Sequence, residues 1–241
     1  SLTLKDQAAI RKCSAENTAG GVTHGGGIFA EGTLTIAGLA EVDKDCSAAV
    51  GSGIYMEVGP DFIVSQNLYA NGGVIAGEVV LNSASNHGAT LKITGSDEGV
   101  TEFKGSVLNN NGIIEKGKFT GEVTNNGTIT GGAFNGEVTN NGSITGGEFT
   151  GTVINSESGT IAEGVSIPNL IFIVTFDNEG TKTTEPIAKG DKLTAPTTQT
   201  KEDYRFDGWY YDNNGSEAKW NFGTDTVTRA MTLTAKWVQT Y

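Results

Sequence analysis

The chain has 241 residues, 37 % of them hydrophobic and 35 of them Gly, with a formal charge of −12. That apolar fraction is too high for a disordered chain, and the glycines lack collagen's every-third-residue rule. The acidity argues against nucleic acid or an anionic membrane as partner, since both need a basic patch, and no run approaches the ~18 apolar residues of a membrane span. No direct membrane insertion is expected, and the absence of a leader before Ser1 says nothing about export.

The first residues, with Ala8-Ala9-Ile10-Arg11, read as a cap over the open end of a repeat structure. Two cysteines follow in similar phrases, Lys12-Cys13-Ser14-Ala15 and Asp45-Cys46-Ser47-Ala48. Two buried thiols and a disulfide between stacked turns both fit, whereas a metal site needs more Cys or His at short spacing. Between them stand Gly25-Gly26-Gly27-Ile28-Phe29 and Gly32-Thr33-Leu34-Thr35-Ile36-Ala37-Gly38. This stretch resembles the Gly-rich phrases of polymorphic-outer-membrane-protein and autotransporter-like right-handed β-helices over about one turn.

The clearest signal comes later. Phe119, Val123 and Ile129 recur fifteen residues on as Phe134, Val138 and Ile144, then as Phe149, Val153 and, after a two-residue insertion, Ile161. Sixteen residues earlier stand Phe103, Val107 and Ile113. Alternation around Val and Ile marks short strands, and one copy is too small to bury its own apolar face. Stacking copies at strand spacing puts Phe on Phe, Val on Val and Ile on Ile, with Gly and Asn at the corners. A parallel β-helix (β-solenoid) with turns of about 15–16 residues is expected over 1–168. Its hand does not follow from the period, and right-handed is the expectation. The pairs Asn125-Asn126 and Asn140-Asn141, with Asn109 to Asn111 before them, then form an amide ladder at one corner.

Composition changes near Ile167-Pro168-Asn169. Through Pro168 there are 8 Lys+Arg against 18 Asp+Glu, a net of −10; beyond it 8 face 10, a net of −2. All three Trp and four of the six Tyr lie beyond it, so a second domain is placed at 169–241. Alternating strands and Asp/Asn/Gly turns there give a small sheet with an aromatic core. The ordered matches Val174-Thr175-Phe176-Asp177, Gly190, Pro196, Tyr204-x-Phe206-x-Gly208-Trp209-Tyr210, Trp220-x-Phe222 and Met231 to Trp237 resemble the Listeria–Bacteroides repeat (internalin B-repeat), a β-grasp-like module. The resemblance departs at Asn178-Glu179-Gly180, where the family carries Asn-Gly-Gly. It implies an exported, surface-exposed bacterial setting, an adhesive or spacer role, and no catalytic residues. Trp209 and Trp237 read as core.

Little else carries chemistry. His24 and His87 sit in Gly-rich corners without a partnered motif. Glu122 stacks above Glu137, but the neighbouring turns offer Ser106 and Thr152, so a solvated face is expected rather than a Ca²⁺ site. The pairs Asp43-Lys44-Asp45 and Asp97-Glu98 are carboxylates that nothing frames. Thr128-Ile129-Thr130 begins an ice-binding type of ladder that Thr160-Ile161-Ala162 ends. Neither cofactor nor metal is expected. Tyr210 and Tyr211 point to opposite faces, so one at least is expected to be exposed, and they are the candidate ligand contacts. The expectation is a non-catalytic, extracellular or cell-surface segment used in adhesion or as a spacer, with a host or bacterial surface protein or a polysaccharide as partner. The alternative is a carbohydrate-active β-helix enzyme, a polysaccharide lyase or glycoside hydrolase.

Overall fold

The computed structural model describes residues 1–15, 22–58, 65–84, 89–95, 99–197 and 200–241. Among them there is no helix, and the chain divides into two compact units, Ser1–Val153 with Gly159–Pro168 and Ile154–Ser158 with Asn169–Tyr241.

The first unit is a parallel β-solenoid. Each fifteen-residue copy supplies three short strands, such as Lys118–Phe119, Val123–Asn125 and Thr128–Ile129. Every strand pairs in parallel with its equivalent one turn away. Phe119 lies between Phe103 and Phe134, Val123 between Val107 and Val138, and Ile129 between Ile114 and Ile144. All of these side chains are buried. The Phe rings stack at centroid distances of 4.6, 4.7 and 4.9 Å, with interplanar angles of 13°, 7° and 10°. Those spacings match the ~4.8 Å between strands, so the backbone repeat sets the stack.

Glycine is required at the corners for two separate reasons. Gly132 has φ 98°, a conformation that other residues reach only under strain. Gly136 has no such φ, but a Cβ there would lie 2.2 Å from the Gly121 carbonyl oxygen of the previous turn. The first case is a matter of conformation, the second of close stacking.

Three expectations need correction. In the earliest copy Ile114, not Ile113, occupies the inward column, because Ile114 pairs with Ile129 and Ile113 with Thr128. The sixteenth residue of that copy enters at the Asn corner, where Asn111 takes φ 58°. Secondly, the 15–16-residue period holds only from Phe103 onward. Upstream, Leu34 stands opposite Leu68 and Leu68 opposite Ile93, so those turns are much longer. Their strands Leu34–Val42 and Gln66–Ile75 each continue across two faces, through a register slip after Gly38 and through Gly72-Gly73 (φ 125° and 77°), where later copies break the strand at a Gly-Gly corner. The columns nevertheless persist: Val42 and Ile75 precede Phe103, and Ile28, Ile54 and Val79 precede Val107. Thirdly, the first residues extend the ladder instead of covering it. Leu2–Leu4 and Ala9–Ile10 pair in parallel with Leu34–Val42 and place Leu2 on Leu34 and Ile10 on Val42.

The Asn corner carries two ladders. Asn109, Asn125 and Asn140 are buried: Asn109 Nδ2 donates to Asn125 Oδ1 (2.8 Å) and Asn125 Nδ2 to Asn140 Oδ1 (2.7 Å). Outside, Asn141 Nδ2 donates to Asn126 Oδ1 and Asn126 Nδ2 to Asn110 Oδ1. Upstream the inner column turns apolar, with Leu81 and Met56 in register, and Asn109 Oδ1 is left buried without a partner among the described residues.

In the second unit, Asn169–Asn178 pairs antiparallel with Thr181–Ala188 and parallel with Met231–Gln239. Met231–Gln239 in turn pairs antiparallel with Tyr204–Asn213, and that strand with Ser216–Lys219. The first and last long strands thus run parallel in the middle, a β-grasp-like order built without a helix among the described residues. Phe176 meets Trp209 edge-on at 5.1 Å above Val174 and Leu233, both fully buried. Trp209 is core as expected; Trp237 is half-buried, its indole N–H donating to Asn178 Oδ1 at 3.1 Å.

Candidate functional site

The strand Tyr204–Asn213 carries the candidate contacts, and its register slips between Phe206 and Gly208 opposite Met231–Gln239. One extra residue there lets Phe206 and Trp209 share a face, with rings 5.8 Å apart. It also brings Asp207 to the side of Tyr210, whose hydroxyl donates to Asp207 Oδ2 at 2.5 Å.

Lys219, paired with Tyr210 across the hairpin, completes a cluster. Its Nζ lies 3.5 Å from Asp207 Oδ1 and 5.6 Å from the Tyr210 ring centre. Its aliphatic stem lies where a Cβ of Gly208 would stand, so Gly208 makes room for it. The hydrogen bond from Tyr210 holds the Asp207 carboxyl below its ordinary value, and the Lys219 charge adds to this. The same bond pushes the Tyr210 phenol up, so it remains a neutral donor.

Tyr211 faces the other way and meets the buried Trp220 edge-on at 5.6 Å. Both tyrosines are half-buried, so neither is a freely exposed platform. They border an open groove with Asp212, Glu217, Thr232 and Thr234. What this groove offers is a ring edge, hydroxyls and carboxylates, the equipment of a polar, hydrogen-bonding contact.

Sequence reasoning missed a second feature. Pro196, Phe206, Trp209, Trp220 and Phe222 line an apolar pocket of about 250 Å³, with Lys219 at its side. Pro196 and Trp220-x-Phe222 are visible in the sequence, but only the fold shows that they converge with Trp209.

Among the solenoid's carboxylates, Glu122 and Glu137 are both exposed on the outer face. Asp45 pairs with Lys44, while the His24 ring packs tilted by 47° against Tyr55, with centroids 4.5 Å apart. His87, Asp97 and Glu98 lie outside the described residues. Among those described, no three His, Cys, Asp or Glu side chains converge.

With this geometry in place, a family match falls inside the second unit. Residues 172–236 match the Listeria-Bacteroides repeat domain. Over 68 residues the chain is 44 % identical to a protein named as a Gly-rich membrane protein of Evansella cellulosilytica, covering 27 % of this chain and 8 % of that one. A second protein of that organism, named as a membrane protein, is 41 % identical over 69 residues, 28 % of this chain and 10 % of its own length. Internalin H of Listeria monocytogenes is 33 % identical over 70 residues, 29 % of this chain and 12 % of its own length. The matched stretch is therefore a small part of each relative. The Tyr210, Asp207 and Lys219 cluster and the apolar pocket both lie in the repeat domain.

Proposed function

We propose that this chain is a non-catalytic segment of an exported bacterial cell-surface protein, its solenoid a spacer and its repeat domain the adhesive face. The observation that carries this reading is the solenoid interior. Copying the fifteen-residue unit stacks Phe on Phe, Val on Val and Asn on Asn inside, where they are buried. A residue repeated inward lengthens a core and adds no binding site. The surface setting is supported by relatives named as membrane proteins and by Internalin H, which shares the repeat domain. The partner is a surface protein or polysaccharide, met by the hydroxyls and carboxylates around Tyr210 and Tyr211.

The test is a glycan and surface-glycoprotein array probed with the whole chain, alongside a polysaccharide-cleavage assay and protease shaving of intact cells. Binding that Tyr210→Ala or Tyr211→Ala weakens tenfold, with the chain removed by shaving, supports the proposal. Polysaccharide turnover lost on changing a single carboxylate overturns it in favour of an enzyme.

A further inference from the structure

The two cysteines stand on adjacent turns in the same register. Ser14 bridges Ser47 in parallel; the Ser47 N–H donates to the Cys13 carbonyl at 2.8 Å, and the Ala15 N–H to the Ser47 carbonyl at 2.9 Å. The phrases Cys13-Ser14-Ala15 and Cys46-Ser47-Ala48 are thus stacked in step, with Cys13 opposite Cys46. Parallel neighbours sit about 4.8 Å apart, inside the roughly 4.4–6.8 Å range of Cα separations that a disulfide spans.

Both sulfurs lie against neighbouring carbonyls of the same stretch, Ile10-Arg11. Cys46 Sγ lies 3.9 Å from the Ile10 carbonyl oxygen, so it reaches across toward the first turn, while Cys13 Sγ contacts the Arg11 carbonyl at 3.4 Å. Cys46 is buried beneath Gly27, and Cys13 is half-buried and reachable.

We propose that Cys13 and Cys46 form a redox pair that closes, on oxidation, into a disulfide stapling the first turn of the solenoid to the second. The oxidant is a low-molecular-weight disulfide, RSSR. Cys13 as thiolate attacks one of its sulfurs, forming a mixed disulfide and releasing RS⁻; Cys46, deprotonated, then attacks Cys13 Sγ and releases the second RS⁻. The two thiols lose two protons and two electrons, and one RSSR becomes two RSH. Cys13 is the attacking sulfur because it is accessible; burial pushes the Cys46 thiol up and keeps it from reacting with RSSR directly, so it enters only once the mixed disulfide on Cys13 lies opposite it.

The location gives the staple a purpose. Besides the Ser14–Ser47 bridge, the first turn is held by Leu2–Leu4 and Ala9–Ile10 against Leu34–Val42, and by the exposed Arg11–Glu41 ion pair at 2.7 Å. Strands of three and two residues give these two turns few backbone bonds to share, so local opening between them is easy. A covalent link one residue from the bridge ties the two turns together, and it works whether or not the adhesive reading is right.

The experiment equilibrates the reduced whole chain with glutathione buffers, unfolds it, alkylates it with iodoacetamide and weighs it. Two alkyl groups are expected on the reduced chain and none after oxidation, with one non-reduced peptide pair joining residues 13 and 46. Amide exchange at residues 8–15 should slow roughly tenfold or more on oxidation, a change that Cys13→Ser abolishes. Two thiols that persist in the folded chain, oxidation that stops at glutathione adducts, or a link between two chains overturns the proposal.

Discussion

At the scale of single residues, one corner places chemically identical side chains in two environments. Asn125 is buried, donating to Asn140 and accepting from Asn109, whereas Asn126 makes equivalent bonds in solvent. Removing the inner amide takes the acceptor away from Asn109 Nδ2 and from the Gly127 N–H, so Asn125→Ala should destabilise by about 2–3 kcal/mol in chemical denaturation. Asn126→Ala, whose partners fall back on water, should stay within about 0.5 kcal/mol. Equal effects would mean the ladder owes nothing to burial. Glu179 poses a different problem. It has φ 52° ahead of Gly180 at φ 92°, in a two-residue hairpin loop where Asn214-Gly215 serves the companion hairpin. A left-handed non-Gly residue costs about 1 kcal/mol, and the exposed ion pair with Lys201 offsets only part of it. Glu179→Asn should therefore raise the stability of the repeat domain by about 0.5 kcal/mol, or a few degrees in its thermal midpoint. A drop would show that the ion pair dominates.

Elements are fixed here by what one turn does to the next. Gly136 sits against the Gly121 carbonyl, and the opposing atom is backbone, which cannot rotate away. Gly136→Ala should cost about 3 kcal/mol, with a lower denaturation midpoint, while the neighbouring exposed Glu137→Ala should change it by less than about 0.5 kcal/mol. The same dependence explains what was legible beforehand. Identical copies announce their own register, so the columns through Phe119, Val123 and Ile129 could be read from spacing alone. Where copies diverge, spacing stops reporting register. Ile113 and Ile114 are equally apolar, and only the backbone at Asn111 decides which points inward. The long strands Leu34–Val42 and Gln66–Ile75 alternate too loosely to show that one strand serves two faces. In the candidate site, the tyrosines and Trp209 were visible as an aromatic block. The extra residue that carries Asp207 to Tyr210 was not, because a bulge leaves no periodic trace.

Taken as a whole molecule, the solenoid's interior is additive while its surface is not. Each added copy contributes one more layer of Phe, Val, Asn and Ile in contact only with its neighbours, so stability should follow the number of layers. This yields a prediction that separates a spacer from a multivalent binder. Duplicating residues 119–133 inserts one whole turn in register, and the extended chain should fold with an unchanged or higher melting temperature by circular dichroism. Duplicating 119–132 instead leaves the Gly-Gly corner one residue short before the inserted Phe119, where Gly132 already stands at φ 98°, and should lower the melting temperature. Binding to whatever surface the parent chain recognises should be unchanged in the in-register extension, because the copied turn exposes only Glu122, Asn126 and small Thr side chains. Affinity that climbs with each added turn would move the proposed adhesive role from the repeat domain to the solenoid wall, and would make the outer Asn and Glu rows the place to look for it.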